Sequence, residues 1–536
     1  MSHACSTQSL TLVTAYDTLG ESGVQHSLVQ SEPQAILVDP HLFKTISGPL
    51  KKATSVKILI YNQASHMSVS DEKIDAFKAS HPELTVLSFE ELRALGEANP
   101  IEPVLPKPDD LYCIMYTSGS TGTPKGVPTT HAGFIAAVTG IYHHVEEIVD
   151  HHEYVMAYLP LAHIFELVVE NTAVFFGATL GYGHPRSLSD GSMRNCPGDI
   201  RAFRPSLLIG VPQVWESIRK GIEAKVSENG LITRSLFWGA FKLKSLMVKN
   251  GLPGHGMFDK IVFGKVRTQT GGRLRFLVNG ASGISWTTQH FMSMVVAPML
   301  NGYGLTETGG NGALGSPLEW TTEAIGSMEV SLEMKLVALP ELGYYTDRTP
   351  PQGEILLRGP PVLTSYYKNP EETAQAVTAD GWFRTGDIGE FDPKGHVKVI
   401  DRVKNLVKMQ GGEYIALEKL EAVYRGCPYV QNLVVHGDSK YPRPIAIIIP
   451  NEKALADKAA ELGVDEHVMC QDRKVRDVVL KALGAAARGA GLSSLETIAG
   501  IVLLDDQEWT PANVSISYPV WIFARCALLI SLNRAW

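Results

Sequence analysis

The sequence predicts an α/β fold that is divided between a large N-terminal domain and a smaller C-terminal domain. The chain has 536 residues, more than the roughly 250 to 300 residues at which one hydrophobic core stops growing. Short apolar runs alternate with helical stretches in its first half, as in βαβ units around a parallel sheet. Hydrophobic residues make up 44% and charged residues 19% of the chain. That balance supports large cores and argues against a mostly disordered chain.

The apolar runs place the individual elements. Strands are predicted at AILVDP, KILIYN, TVLSF, LYCIM, HEYVMAYLP, PSLLIGVP and LRFLVNG, and helices at DEKIDAFKASH and FEELRALGEA. The β-like runs GEILLRG and GHVKVID predict a smaller β-rich subdomain, and the chain after Arg402 has the pattern of a separate α/β domain. We therefore assign residues 1–400 to the large domain, 401–512 to the small domain and 513–536 to a tail.

The composition excludes several classes of protein. A formal net charge of −8 offers no broad basic field for a nucleic-acid backbone, so no nucleic-acid partner is expected. The six cysteines are scattered without a CxxC pair, which indicates a reducing, cytosol-facing compartment. The sequence shows neither a secretory signal nor a run of about 20 apolar residues that would span a membrane. The oligomeric state is left open.

Residues 219–273 have a helical pattern that is rich in lysine, as in KLKSLMVKN and KIVFGKVRTQ. The favoured interpretation is a solvated helical insertion. A patch that lies on a membrane surface is the alternative.

The run YTSGSTGTPKG, residues 116–126, predicts a phosphate cradle. Small residues let backbone N–H groups approach an anion closely, hydroxyl groups add donors, and Lys125 adds a positive charge. The run is not a Walker loop, because Gly126 follows Lys125 where a magnesium-binding Ser or Thr would stand. The expected nucleotide-binding residues of this run are Thr117, Ser118, Gly119, Ser120, Thr121, Gly122 and Lys125.

This run resembles the phosphate loop of the adenylate-forming enzymes, which include the acyl-CoA synthetases. Residues 301–308, NGYGLTET, are similar to the second nucleotide motif of that family. The resemblance implies that Tyr303, followed by Gly304, stacks on adenine. It also implies that Thr306 meets the α-phosphate and that Glu307 helps to hold Mg²⁺, a cation that prefers carboxylate oxygens.

The stretch DGWFRTGDIGEFDPKGHVKVIDRVKN, residues 380–405, resembles the fatty acyl-CoA synthetase signature over its whole length. The resemblance implies that Asp387 bonds the ribose hydroxyls with help from Arg402, and that Asp401 is the hinge between the two domains. Fungal and other eukaryotic long-chain acyl-CoA synthetases are the members it is most similar to. This resemblance implies a large domain of stacked mixed sheets with helices and a small β-rich subdomain, followed by a small mobile α/β domain.

Two shorter matches extend the resemblance. Residues 158–166, YLPLAHIFE, resemble the acyl-site motif, which implies that His163 lies near the substrate carboxylate. The turn NGAS at residues 279–282 matches the place where the family wraps backbone around adenine, which implies that Gly280, Ala281 and Ser282 are nucleotide-binding. The preferred chain length of the acyl group is not assigned.

The resemblance also implies the remaining substrates and cofactors. Residues 407–415, VKMQGGEYI, match the segment that faces CoA. ATP, Mg²⁺, CoA and a long-chain fatty acid are therefore expected, with a cytosol-facing, peripheral location on the endoplasmic reticulum, lipid droplets or other membranes. The implied CoA-facing residues are Lys408, Gly411, Gly412 and Glu413, and the implied catalytic residues are His163, Lys125, Thr306 and Glu307.

Both ends of the chain depart from the family. The run MSHACSTQSLTLVTAYDTLGESG matches a position well inside the large domain of full-length members, so N-terminal strands are expected to be missing. The family's adenylation lysine follows EWTP, whereas the sequence after Asn513 contains no lysine and is aberrant. The predicted function is ATP-dependent ligation of a long-chain fatty acid to CoA through acyl-AMP. The alternatives are an impaired remnant that binds acyl-AMP or nucleotide, and another carboxylate-activating acid:CoA ligase.

Overall fold

The computed structural model describes residues 1–16, 19–63, 69–117, 123–318, 321, 324–411 and 413–504. The α-helices in these ranges are α1 (Ser2–Ser6), α2 (Gly20–Ser31), α3 (Phe43–Leu50), α4 (Asp71–Ser80), α5 (Phe89–Ala98), α6 (His131–Val145), α7 (Ile164–Phe176), α8 (Asp199–Phe203), α9 (Pro212–Glu228), α10 (Leu231–Lys249), α11 (Gly256–Ile261), α12 (Gly264–Gln269), α13 (Trp286–Val295), α14 (Pro370–Ala376), α15 (Leu417–Arg425), α16 (Glu452–Glu461) and α17 (Arg473–Gly489).

The strands in the same ranges are β1 (Leu12–Thr14), β2 (Ala35–Val38), β3 (Ile58–Tyr61), β4 (Thr85–Ser88), β5 (Leu111–Thr117), β6 (Lys125–Thr130), β7 (Tyr154–Ala157), β8 (Thr179–Tyr182), β9 (Leu207–Gly210), β10 (Phe276–Asn279), β11 (Met299–Gly304), β12 (Gly312–Leu314), β13 (Ser327–Met328), β14 (Glu333–Val337), β15 (Gln352–Arg358), β16 (Phe383–Phe391), β17 (Val397–Arg402), β18 (Leu406–Lys408), β19 (Tyr414–Ala416), β20 (Val430–His436), β21 (Ile445–Pro450) and β22 (Gly500–Leu503).

The chain forms two compact units, and each is built from more than one segment. Among the described residues, the first comprises Met1–Ile135 and Leu363–Val377, and the second comprises Ala136–Val362 and residues 378–504. Across the described residues, we find no helix whose length and apolar character would let it cross a bilayer.

The first unit contains two three-stranded sheets. Strands β2, β3 and β4 pair in parallel in that order, and the predicted runs AILVDP, KILIYN and TVLSF supply them. The helix that follows β4 begins at a capping box, in which Ser88 and Glu91 satisfy each other's backbone N–H groups. Strand β5 lies between β1 and β6 and pairs antiparallel with β6. Strand β6 was not predicted from the sequence, because its residues KGVPTT contain little apolar surface.

The second unit is built around a seven-stranded sheet with the order β13-β12-β11-β10-β9-β7-β8. Its strands β7 to β11 run in parallel, so their carboxyl ends meet at one edge. The core beneath this sheet includes Trp215, Leu277 and Met299, all of which are fully buried. The predicted strands HEYVMAYLP, PSLLIGVP and LRFLVNG are β7, β9 and β10.

A four-stranded antiparallel sheet, β14-β15-β16-β17, follows in the same unit. It contains the predicted runs GEILLRG and GHVKVID, so the expected β-rich subdomain is present. The chain after Arg402 adds the hairpin β18-β19 and the sheet β20-β21-β22, whose apolar face packs with helices α15 to α17.

Lys220 on helix α9 connects the part of the chain after Arg402 to the part before it. Its Nζ donates to the carbonyl oxygens of Arg425 at 3.0 Å and Val430 at 2.7 Å. Arg425 is the last residue of α15, where unpaired carbonyls and the helix dipole favour a cation.

Candidate active site

A buried carboxylate, that of Asp387, is the centre of the candidate site in the second unit. Its Oδ2 accepts a hydrogen bond from the Tyr303 hydroxyl at 2.8 Å, and its Oδ1 accepts one from Arg402 Nε at 2.8 Å. Asp387 and Arg402 are directly paired across β16 and β17, whereas Tyr303 comes from the end of β11. The structure thus brings together three residues that the sequence predicted to bind nucleotide.

Burial decides the electrostatics of this cluster. Asp387 is 2% exposed, and burial raises the pKa of its carboxyl, although the nearby Arg402 guanidinium opposes the shift. Burial and the Asp387 carboxylate together raise the pKa of the Tyr303 phenol well above its usual value. The phenol therefore stays a donor, and the carboxyl oxygens of Asp387 accept from it and from Arg402, an acceptor arrangement that ribose hydroxyls could use.

The predicted hinge residue Asp401 lies next to Arg402 on strand β17 of the same sheet. Its Oδ1 accepts from the backbone N–H of Arg402 at 2.5 Å, and its Oδ2 is buried without a hydrogen-bond partner among the described residues. Burial raises the pKa of this carboxyl to about 6.

The turn after β10 lies beside the Tyr303 strand. Strands β10 and β11 pair so that Asn279 faces Asn301, and Asn279 Nδ2 donates to the carbonyl of Ser282 at 3.2 Å. Ala281 adopts a left-handed backbone with φ of 68°. The buried Oδ1 of Asn279 has no partner in the described part of the chain, so the turn contains an unsatisfied hydrogen-bond acceptor.

Gly280 brings this turn against the acyl-site motif. A Cβ at Gly280 would lie 2.4 Å from the ring of Phe165, a distance that no side chain tolerates without a shift. Phe165 stands two residues after His163, so the predicted adenine turn and the predicted acyl motif are in van der Waals contact.

The second nucleotide motif continues into a short 3₁₀ helix, Thr306–Thr308. Glycine at position 304 allows the chain to pass close to Gly310, because a Cβ at position 304 would lie 2.1 Å from the carbonyl oxygen of Gly310. Thr306 and Glu307 are partly exposed at this position.

His163 is exposed at the N-cap of helix α7. The turn that carries it lies over Glu166, which is 2% exposed and whose Oε1 accepts the N–H of Tyr158 at 3.1 Å. Burial raises the pKa of Glu166 to about 8, and the charge of Glu170 adds to the shift. Glu166 thus braces the turn from beneath while His163 faces outwards.

The predicted phosphate cradle belongs to the first unit. Thr117 ends β5 and pairs with Lys125, which begins β6, so the loop joins two antiparallel strands. The Lys125 ammonium forms an ion pair with Glu372 and lies 5.1 Å from the centre of the Tyr366 ring. Five predicted residues lie outside the described ranges: Ser118, Gly119, Ser120, Thr121 and Gly122.

Of the predicted CoA-facing residues, Lys408 ends β18, and Gly411 and Glu413 lie between β18 and β19. The Lys408 ammonium lies 5.9 Å from the centre of the Tyr414 ring, and Gly411 and Glu413 are exposed. Gly412 and residues 505–536, which include the predicted tail, lie outside the described residues.

Sequence reasoning missed two residues at these sites. Glu166 was visible as the last letter of YLPLAHIFE, but nothing in the motif distinguishes a buried brace from a solvated glutamate. Glu372 lies in KNPEETAQA, 247 residues from Lys125, and no pattern in the sequence connects the two.

The fold and the site define a nucleotide-binding enzyme of the adenylate-forming class. Residues 1–367 match the family model described as AMP-binding enzyme, and the chain belongs to that family. The adenylation domain of a carboxylate reductase from Mycobacterium chelonae has the same fold, with a TM-score of 0.78 and 22% identity over 97% of this chain and 76% of that one. This likeness confirms the expected fold class.

Two curated relatives are more similar in sequence. A palmitoyl-CoA ligase of Gibberella moniliformis is 50% identical over 96% of this chain and 76% of its own length. Long-chain-fatty-acid–CoA ligase 4 of Saccharomyces cerevisiae is 43% identical over 95% of this chain and 75% of its own. The expected resemblance to fungal long-chain acyl-CoA synthetases is therefore confirmed.

Proposed function

We propose that this protein ligates a long-chain fatty acid to CoA through an acyl-AMP intermediate, with ATP as the second substrate. The Asp387 cluster is the observation that supports it most directly, because a buried carboxylate that already holds two exchangeable donors suits the two vicinal hydroxyls of a ribose. The relatives whose printed names are palmitoyl-CoA ligase and long-chain-fatty-acid–CoA ligase supply the substrate class.

In the first half-reaction the fatty-acid carboxylate attacks the α-phosphorus of ATP. A P–O bond forms to the acid, the P–O bond to pyrophosphate breaks, and acyl-AMP results. We assign His163 to orient the carboxylate, Tyr303 to stack on adenine, and Thr306 to meet the α-phosphate. Such a reaction depends on positioning and charge stabilisation more than on covalent help from the protein.

Cations are needed where phosphate charge develops. We assign Lys125 and the backbone of residues 117–122 to the phosphates. Glu307 is assigned to hold Mg²⁺, because it lies in the second nucleotide motif and hard carboxylate oxygens suit this ion. When bound, Mg²⁺ supplies neutralisation of phosphate charge.

In the second half-reaction the CoA thiol attacks the acyl carbon. The C–O bond to AMP breaks, a thioester forms, and the thiol proton is released. Lys408, Gly411, Gly412 and Glu413 are assigned to face CoA. We propose residues 1–400 and 401–512 as the two domains, with a rotation at Asp401 between the half-reactions. That rotation would have to break the two hydrogen bonds of Lys220.

The test is palmitate-dependent exchange of labelled pyrophosphate into ATP, followed by formation of palmitoyl-CoA from supplied palmitoyl-AMP and CoA. We expect both. Thioester formation without exchange would favour the alternative of a chain impaired in the first half-reaction, since the sequence after Asn513 has no lysine. Benzoate-dependent exchange with no response to palmitate would favour another acid:CoA ligase. Failure of both reactions would contradict the proposal.

We also propose that the protein associates peripherally with cytosol-facing membranes. The supporting argument is chemical, since a long-chain fatty acid partitions into lipid.

A further inference from the structure

Helix α10 has an apolar face that nothing covers among the described residues. Its buried side, which includes Phe237 and Ala240, belongs to the core of the second unit. Four apolar residues recur on another side at spacings of four, seven and three, so they form one stripe. The residues of this stripe are Ile232, Leu236, Leu243 and Leu246, which are 87%, 58%, 48% and 56% exposed.

The exposed apolar surface continues beyond α10. Met257 on α11 and Ile261 at its end are 58% and 72% exposed. Singly exposed leucines are ordinary, but a stripe with an apolar continuation is typical of an interaction surface.

The same segment carries an excess of positive charge. Residues 231–269 contain seven lysines or arginines and one acidic residue, Asp259, within a chain whose net charge is −8. Asp259 is already paired with Lys244 at 2.5 Å and Arg267 at 3.0 Å. Five exposed cations remain that form no ion pair within the described ranges: Arg234, Lys242, Lys249, Lys260 and Lys265.

The helix is fixed in this orientation. Lys244 on the buried side also donates to the carbonyl of Met294 at 2.6 Å, which ties α10 to helix α13. Burial lowers the pKa of this lysine, and the Asp259 carboxylate opposes that effect. The stripe therefore stays exposed as long as this contact holds.

We propose that the stripe and its flanking cations dock this protein on an anionic lipid surface, with α10 lying in the plane of the interface. Apolar side chains enter the acyl boundary, and the exposed lysines meet anionic headgroups, each contributing on the order of a fivefold gain in partition. A second copy of the chain is a poorer occupant, because pairing two such stripes would bring two surfaces of net charge +6 together. This proposal rests on the peripheral membrane association proposed above and assigns it to one surface, but it does not depend on the ligase activity.

Sedimentation with vesicles tests this. The full chain is spun with vesicles of phosphatidylcholine alone and of phosphatidylcholine mixed with phosphatidylserine in equal parts. We expect cosedimentation with the mixed vesicles, weakened by added salt. The double variant Leu243→Glu with Leu246→Glu, and the double variant Lys242→Gln with Lys249→Gln, should each bind at least about tenfold more weakly. All four positions are exposed, so folding is expected to survive.

Matched controls carry the same changes elsewhere on the surface. Ile101→Glu with Leu105→Glu, and Lys73→Gln with Lys453→Gln, alter exposed residues outside the segment and should bind as the unaltered chain does. Equal binding by the stripe variants and their controls would overturn the proposal. So would a dimer in analytical ultracentrifugation that the stripe variants abolish. Pyrophosphate exchange with detergent-dispersed palmitate should be unchanged in all variants, which separates this proposal from that of the ligase activity.

Discussion

Two buried carboxylates in the second unit, Asp387 and Glu166, are equally enclosed but differ in what surrounds them. Each is 2% exposed. Asp387 accepts from a phenol and a guanidinium, both of them side chains that can move away. Glu166 accepts from backbone N–H groups and lies beside a second carboxylate, Glu170. The first arrangement can exchange its donors for a ligand, whereas the second is part of the scaffold.

The largest effect is expected at Asp387. Asp387→Asn removes a charged acceptor, and hydrogen bonds to charged groups contribute about 1.5 to 3 kcal/mol each. Palmitate-dependent pyrophosphate exchange should fall by about a hundredfold or more, with the melting temperature little changed. The matched control is Asp347→Asn, at an exposed position. Full exchange activity in Asp387→Asn would remove the carboxylate from the ribose site.

Glu166 should affect how the stability of the fold depends on pH. Its pKa is raised from 4.5 to about 8, so the folded state binds a proton more tightly than the unfolded state does. The stability from that proton is fully present below pH 4.5 and is lost as pH rises through about 8. Glu166→Gln keeps the backbone acceptor without the charge.

Thermal unfolding of Glu166→Gln beside the unaltered chain measures this difference. At pH 8 the variant should be more stable by about 1 to 3 kcal/mol, and at pH 4.5 the two should converge. Glu147→Gln, at an exposed position on the same unit, serves as the control. A constant difference at all pH values would show that Glu166 is not the group that titrates.

The smallest effect is expected at Glu372, a carboxylate in the first unit that is partly exposed and paired with Lys125. Glu372→Gln frees the lysine from a competing anion, so the KM for ATP should fall by about threefold while kcat changes little. Its neighbour Glu371 is exposed on the same helix, and Glu371→Gln should leave the KM unchanged. A rise in KM would mean that Glu372 positions Lys125.

The sequence predicted elements well where composition decided them. KILIYN and LRFLVNG are apolar runs bounded by turn residues, and both are strands. The sequence did not predict β6, whose place beside β5 comes from backbone pairing rather than from apolar side chains. Tyr303 and Asp387 were each identified by motif, but 84 residues separate them, and only folding shows that they share a hydrogen bond. Glu166 could not be ranked above other glutamates, because burial is a tertiary property.

The close approach of Gly280 to Phe165 has a consequence for natural variation. A methyl group at position 280 and a phenyl ring at position 165 compete for one volume. Related chains should therefore vary these two positions together: alanine at 280 should accompany a smaller side chain at 165, and an aromatic ring at 165 should keep glycine at 280. Selection on the predicted adenine turn and selection on the predicted acyl motif are thus not independent, and a change of side chain at position 165 would alter which residues position 280 accepts.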